Sequence, residues 1–275
     1  MLGTALAFWR DTAAWLPAFA ALVGALLIQI ATNFANDYYD HERGADTPDR
    51  VGPTRVTSAG LVPPHVVKRA MLLTLLAALL VGTYLVSVGG WPIVVIGLVS
   101  LGLAVAYTGG PYPLAYNGLG DVFVFVFFGL IAVAGTFYVQ ALSFPLEAWW
   151  LGAGAGALST AILVVNNLRD RDTDARVGKR TLAVRLGVRA MQIEYAGLIV
   201  FALIVPLVGI AAFGWPWPVL LGWLALGRAL TGWWRVRNFE QPRDLLPVLG
   251  ITAAALLHYA LGMAGGFAAA RLLSL

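Results

Sequence analysis

Eight long apolar stretches, over 13–35, 65–88, 91–107, 121–142, 148–167, 192–213, 216–234 and 245–270, restrict what this chain can become. A helix needs about 18 or more apolar residues in a row to cross the hydrocarbon core of a bilayer. Residues 1–9 read as the tail of a ninth such segment. A β-barrel would alternate apolar and polar positions instead of running solid. A soluble helical fold is disfavoured by charge, since 12% of residues are charged against about 25% in soluble domains. The expectation is an all-α membrane protein, with one domain over 1–275. The absence of cysteine removes disulfides, thiol chemistry and cysteine metal sites. No cleavable signal is expected, because residues 1–9 lack a basic start.

The net charge of +4 does not imply nucleic acid, because here the placement of the charges matters more than their sum. Of 18 Lys and Arg residues, 15 fall in the segments 36–69, 169–190 and 235–244. The connections near 89–91, 142–147 and 214–218 contain none. Basic connections stay in the cytoplasm, so the three rich segments should share that side of the plasma membrane. Parity puts the uncharged loop 108–120 there too. Gly89-Gly90-Trp91-Pro92 and Gly214-Trp215-Pro216-Trp217-Pro218 mark helix breaks, with their Trp residues expected at the membrane interface.

Two acidic motifs lie at the ends of apolar runs, in what reads as loops. The first is Asn36-Asp37-Tyr38-Tyr39-Asp40 and the second Asn166-Asn167-Leu168-Arg169-Asp170-Arg171-Asp172-Thr173-Asp174. A shift of 130 residues lays Asn36 on Asn166, Asp37 on Asn167 and Asp40 on Asp170, with Gly44 on Asp174, which suggests two related half-bundles. On a helix, Asp37 and Asp40 would project together, as would Asn36 with Asp40 and Asp170 with Asp174. Clustered hard oxygen ligands suit Mg²⁺, which keeps waters and usually also binds phosphate. A solvated, salt-bridged loop explains one such motif well and two in register poorly. Arg55 and Lys179 each follow an acidic motif by a short loop and carry the charge that phosphate needs. Together these parts describe a diphosphate clamp, with an apolar cavity for a lipid-like tail.

The chain resembles the UbiA superfamily of intramembrane prenyltransferases over nearly its whole length. Within it, the 1,4-dihydroxy-2-naphthoate polyprenyltransferase (MenA) branch is the most similar. The strings that carry the resemblance begin with Gln29 to Asp40, Asp49-Arg50-Val51-Gly52-Pro53 with Arg55, and Ala106-Tyr107-Thr108-Gly109-Gly110-Pro111-Tyr112. They continue with Gly118-Leu119-Gly120-Asp121, Phe125 to Gly129, the second acidic motif, and Lys179-Arg180-Thr181-Leu182-Ala183-Val184-Arg185-Leu186-Gly187. The resemblance implies nine transmembrane helices, the first apparently shortened, around a central cavity. It implies Mg²⁺-dependent transfer of a polyprenyl chain from polyprenyl diphosphate to 1,4-dihydroxy-2-naphthoate, with loss of diphosphate and CO₂ to give demethylmenaquinone. By that resemblance Asn36, Asp37, Asp40, Asn167, Asp170 and Asp174 would hold Mg²⁺ and diphosphate. Arg55 and Lys179 would bind the diphosphate, and Tyr107 would line the reaction centre. Asn166 and Asp121 stand at the edge of this set. Many relatives carry a basic residue soon after the Tyr-Thr-Gly-Gly string, and Pro111 to Tyr116 has none.

Other readings remain. The same fold could prenylate 4-hydroxybenzoate, homogentisate, a porphyrin or a glycerophosphate lipid. A secondary transporter would place its carboxylates near the midplane, not at basic span ends. The string of an alcohol phosphotransferase is missing. His258 reads as a core histidine bonded to a neighbouring helix, Arg228 as a cation that snorkels to the cytoplasmic edge, and Gly152 to Ala157 as a close-packing surface.

Overall fold

The computed structural model describes residues 1–45 and 51–274. Asp49 and Arg50, which carry part of the resemblance, lie outside those residues. Among the described residues the chain forms nine helical segments. They are α1 (Leu2–Trp9), α2 (Trp15–Glu42), α3 (Pro64–Gly89), α4 (Trp91–Ala106), α5 (Gly120–Ala141), α6 (Leu146–Arg176), α7 (Leu182–Phe213), α8 (217–238) and α9 (Pro242–Leu272). Six of them, α2, α3, α5, α6, α7 and α9, are long and apolar enough to cross a membrane. The apolar α4 is shorter, at 16 residues. In α8 the first nine residues, Trp217–Ala225, form a 3₁₀ helix, which covers more length per residue than an α-helix.

Helix ends follow local chemistry. Prolines open α3 and α9 within their first turns, where a missing N–H costs nothing. Gly90 takes φ 67°, a left-handed value that lets α3 pass straight into α4. The helices run past the apolar stretches. Both acidic motifs therefore sit on helical turns, the first on α2 and the second on α6, and not on loops.

Helix α6 is the centre of the bundle, with 72% of its apolar window buried, against 17% for α2 and 11% for α3. Its small-residue run makes this possible. A Cβ added to Gly129 of α5 would lie 2.4 Å from the Gly156 Cα, and one on Gly154 would lie 2.2 Å from the Tyr259 hydroxyl. Within α5, Phe125–Ile131 widens to a π-helix along this contact. The outer surface of α3 presents Leu72, Leu73, Leu76 and Leu80 to the lipid.

The end of the bundle that carries the basic-free connections is tied by one buried acid. Glu147 accepts two hydrogen bonds from Arg10, at 2.9 and 2.8 Å, and a third from the Trp215 indole at 2.9 Å. Trp217 is exposed, as an interfacial residue should be, but Trp215 is 2% exposed. Trp215 turns into the bundle to make this bond to Glu147. Arg271 pairs with Asp11 at the same end. Arg228 is exposed. His258 Nδ1 has no hydrogen-bond partner among the described residues, so the bond expected there is not made.

Candidate active site

At the other end, the acidic turns of α2 and α6 open onto one cavity of about 1150 Å³. Its polar end is lined by Asn36, Asp40, Arg55, Asp170, Asp174 and Lys179, with Asn166, Asn167 and Tyr107 beside them. Its remaining wall is mostly apolar side chains of α2 to α5. The lining follows the i, i+4 rows: Asn36 with Asp40, and Asn166 with Asp170 and Asp174. Asp37 leaves this row. It is 7% exposed, does not line the cavity, and accepts a long hydrogen bond (3.4 Å) from the Thr57 N–H.

Each carboxylate of the cavity has a different set of partners. Asp40 accepts from the Tyr116 hydroxyl at 2.8 Å and lies 3.7 Å from Arg55. Asp170 is forked by Arg169, at 2.7 and 2.6 Å, and the same guanidinium reaches Asn166 at 2.7 Å. Asp174 lies 3.4 Å from the Lys179 ammonium, while its Oδ2 has no hydrogen-bond partner among the described residues. Asp174 stands within the electrostatic reach of both Asp40 and Asp170, so the two motifs converge.

The uncharged loop 108–119 joins the two halves, as parity required. The Thr108 hydroxyl donates to the Asn36 side-chain Oδ1 at 3.0 Å, and the Arg180 N–H donates to the Tyr116 main-chain carbonyl at 2.9 Å. Arg43 and Lys179 both lie over the Tyr116 ring, 5.0 and 5.4 Å from its centroid, and Arg43 donates to the Gly110 carbonyl at 2.6 Å. Burial, then the Asp40 carboxylate, pushes the Tyr116 phenol above its ordinary value, so it stays a donor. Gly109 is needed because any Cβ there would sit 2.6 Å from the Tyr39 ring. Arg43, Thr108, Tyr116 and Arg169 are the residues that sequence reasoning passed over. The aromatic Tyr116 beside a basic-free stretch was the available signal. Among the described residues, no three His, Cys, Asp or Glu side chains form a group that could by itself hold a metal ion.

The family profile described as the UbiA prenyltransferase family matches residues 1–247 of this chain. The chain belongs to that family. Among curated UbiA-family relatives, 1,4-dihydroxy-2-naphthoate octaprenyltransferase of Mycobacterium tuberculosis is 40% identical over 97% of this chain and 90% of its own length. The Haemophilus influenzae protein of the same name is 34% identical over 90% of this chain and 83% of its own. The Bacillus subtilis one is 31% identical over 92% and 81%. This UbiA-family chain is thus a helical membrane protein with a cavity that opens between two acidic helical turns.

Proposed function

We propose that the protein transfers a polyprenyl chain from polyprenyl diphosphate to 1,4-dihydroxy-2-naphthoate. Diphosphate and CO₂ leave, and demethylmenaquinone forms in its reduced state. The observation that carries this reading is the single cavity that starts between two acidic helical turns and continues along apolar walls. The names of the relatives support the choice of acceptor. The alternative acceptors named from the sequence keep the same site and differ only in the ring.

The chain's own residues divide the work. Arg55 and Lys179 bind diphosphate oxygens and balance the charge that grows as the allylic C–O bond breaks. Asn36, Asp40, Asn167, Asp170 and Asp174 would hold Mg²⁺, with Asp37 supporting the first turn from behind. The oxygen-only donor set and the unpartnered Asp174 Oδ2 fit a hard cation that keeps waters and takes phosphate oxygens, not one caged by protein alone. When bound, Mg²⁺ supplies further charge for the departing diphosphate. Tyr107 lies in the field of Asp121, Asp40 and Asp174 and presents an aromatic ring to the reacting region, which favours an allylic cation.

The test is mass spectrometry of products from purified protein given Mg²⁺, 1,4-dihydroxy-2-naphthoate and several polyprenyl diphosphates. A decarboxylated, prenylated naphthalenediol is expected; prenylation of 4-hydroxybenzoate or homogentisate alone would replace the acceptor. We place the acidic end on the cytoplasmic face of the plasma membrane, because 15 of the 18 basic residues fall in the sequence segments 36–69, 169–190 and 235–244. In this cysteine-free chain, an Arg176→Cys label should react with an impermeant reagent from that face only.

A further inference from the structure

A carboxylate that diphosphate chemistry does not use lies in the wall of the same cavity. Asp121, the second residue of α5, is 4% exposed and lines the cavity beside Gly120 and Tyr107. Neither of its carboxylate oxygens has a hydrogen-bond partner among the described residues. Its main chain, in contrast, is held: the Thr160 hydroxyl of α6 donates to the Asp121 carbonyl at 3.4 Å. Glu147, almost equally buried, accepts three hydrogen bonds from Arg10 and Trp215. An acid buried at a cavity wall without a donor is costly unless a ligand supplies one.

Position says which ligand. The Tyr107 hydroxyl packs against Gly120, where an added Cβ would lie 3.0 Å from it. Tyr107 also lies in the field of Asp40 and Asp174, so it connects the diphosphate region with Asp121. A group next to Tyr107 on the side of α5 meets the molecule that attacks the allylic carbon, and that molecule carries ring hydroxyls.

We propose that Asp121 is the catalytic residue that accepts the hydroxyl proton of the aromatic acceptor. This rests on the prenyl-transfer reading above. The acceptor O–H bond breaks and its proton moves to the Asp121 carboxylate, so the O–H pair becomes a ring C=O. A ring π pair forms the bond to the allylic carbon, and the allylic C–O pair leaves with the diphosphate. When CO₂ departs, its C–C pair restores the aromatic ring and the proton returns from Asp121 to oxygen. No proton is gained or lost overall, so a single sealed carboxylate suffices.

The test uses the full-length protein. Asp121→Asn keeps the side-chain shape and removes the base. Its kcat for transfer to dihydroxynaphthoate should fall about a hundredfold or more, the scale of general base catalysis. Calorimetric binding of polyprenyl diphosphate with Mg²⁺ should be unchanged, which also reports that the variant is folded. A variant that keeps most of its kcat, or that loses diphosphate binding in parallel, overturns the assignment. A second measurement needs no variant. Of the two monomethyl ethers of the acceptor, the one that blocks the hydroxyl facing Asp121 should not be prenylated by the wild-type protein; turnover of both ethers at the parent rate overturns the proposal. If the wild-type protein ignores dihydroxynaphthoate and prenylates another hydroxylated ring, the acceptor proposed above fails, and Asp121→Asn and the ethers are then judged on that ring.

Discussion

Glu147 and Asp174, at opposite ends of the bundle, are buried acids completed in opposite ways. At one end Glu147 is saturated, with Arg10 bound through two nitrogens and Trp215 through its indole. At the other, Asp174 has an oxygen with no partner among the described residues, and Asp40 holds Arg55 only at 3.7 Å. Both ends bury carboxylates to a similar depth. The difference lies in what completes them. Glu147 of α6 is completed from two connections, by Arg10 just after α1 and Trp215 between α7 and α8, and so fastens them to α6, while Asp174 in the cavity wall is left for a ligand to complete. A buried acid with a full set of donors reads as a fastener; one with a vacancy facing a cavity reads as a binding group.

Substitutions sharpen this contrast. Asp40→Ala and Asp170→Ala should each lower prenyl transfer on the order of a thousandfold, as losing a central charge-stabilising group does, while the protein remains folded in the membrane. Turnover near half of wild type in either variant would break the assignment of both turns to one site. Arg55→Gln and Lys179→Gln each remove a charge-assisted bond of roughly 1.5–3 kcal/mol, so kcat/KM for the prenyl donor should fall tenfold to about a hundredfold. The acceptor KM should barely move in steady-state kinetics; a defect confined to it would put these cations on the wrong substrate.

Tyr116→Phe deletes one neutral hydrogen bond, worth about 0.5–1.5 kcal/mol, and should cost about three- to tenfold in kcat/KM. Full activity in that variant would mean that Asp40 needs no holding. The smallest effect on turnover is expected at the other end. Glu147→Gln should leave kcat within about twofold, yet lower stability by roughly 1–3 kcal/mol, because it weakens a buried charge-assisted bond. Thermal unfolding in detergent reads the loss. A Glu147→Gln protein that melts normally but is inactive would erase the distinction between the ends.

The membrane made much of the fold legible. A bilayer imposes a length on apolar runs, so the span expected at 65–88 appears as Pro64–Gly89 and that at 121–142 as Gly120–Ala141. It imposes nothing on the polar turns beyond, and there the reading slipped. Asn36 to Asp40 and Asn166 to Asp174 looked like loops because hydrophobicity ends there, yet helix α2 continues to Glu42 and α6 to Arg176. The i, i+4 rows were legible because helical geometry is local. Asp37 was not, since its turn toward Thr57 depends on a segment 20 residues away. Tyr116 reaches Asp40 across 76 positions, and Arg10 reaches Glu147 across 137. Such pairs leave no trace in spacing. Arg169 was hidden differently: it counted as one more basic residue on the cytoplasmic side, while its guanidinium folds back on its own neighbour, Asp170.

The contact of Gly129 with Gly152 and Gly156 sets a limit on how this chain can vary. Helix α5 carries Asp121 and helix α6 carries Asp170, so the thickness of that contact fixes the gap between them. Across the lipid-facing surface, Leu can drift to Val or Ile with little consequence, because lipid tails accommodate any apolar shape. Here one added methyl would meet main-chain atoms at 2.4 to 2.8 Å. The three glycines act as a gauge with no adjustment, so the sequence drift that the lipid-facing surface allows is closed along this seam.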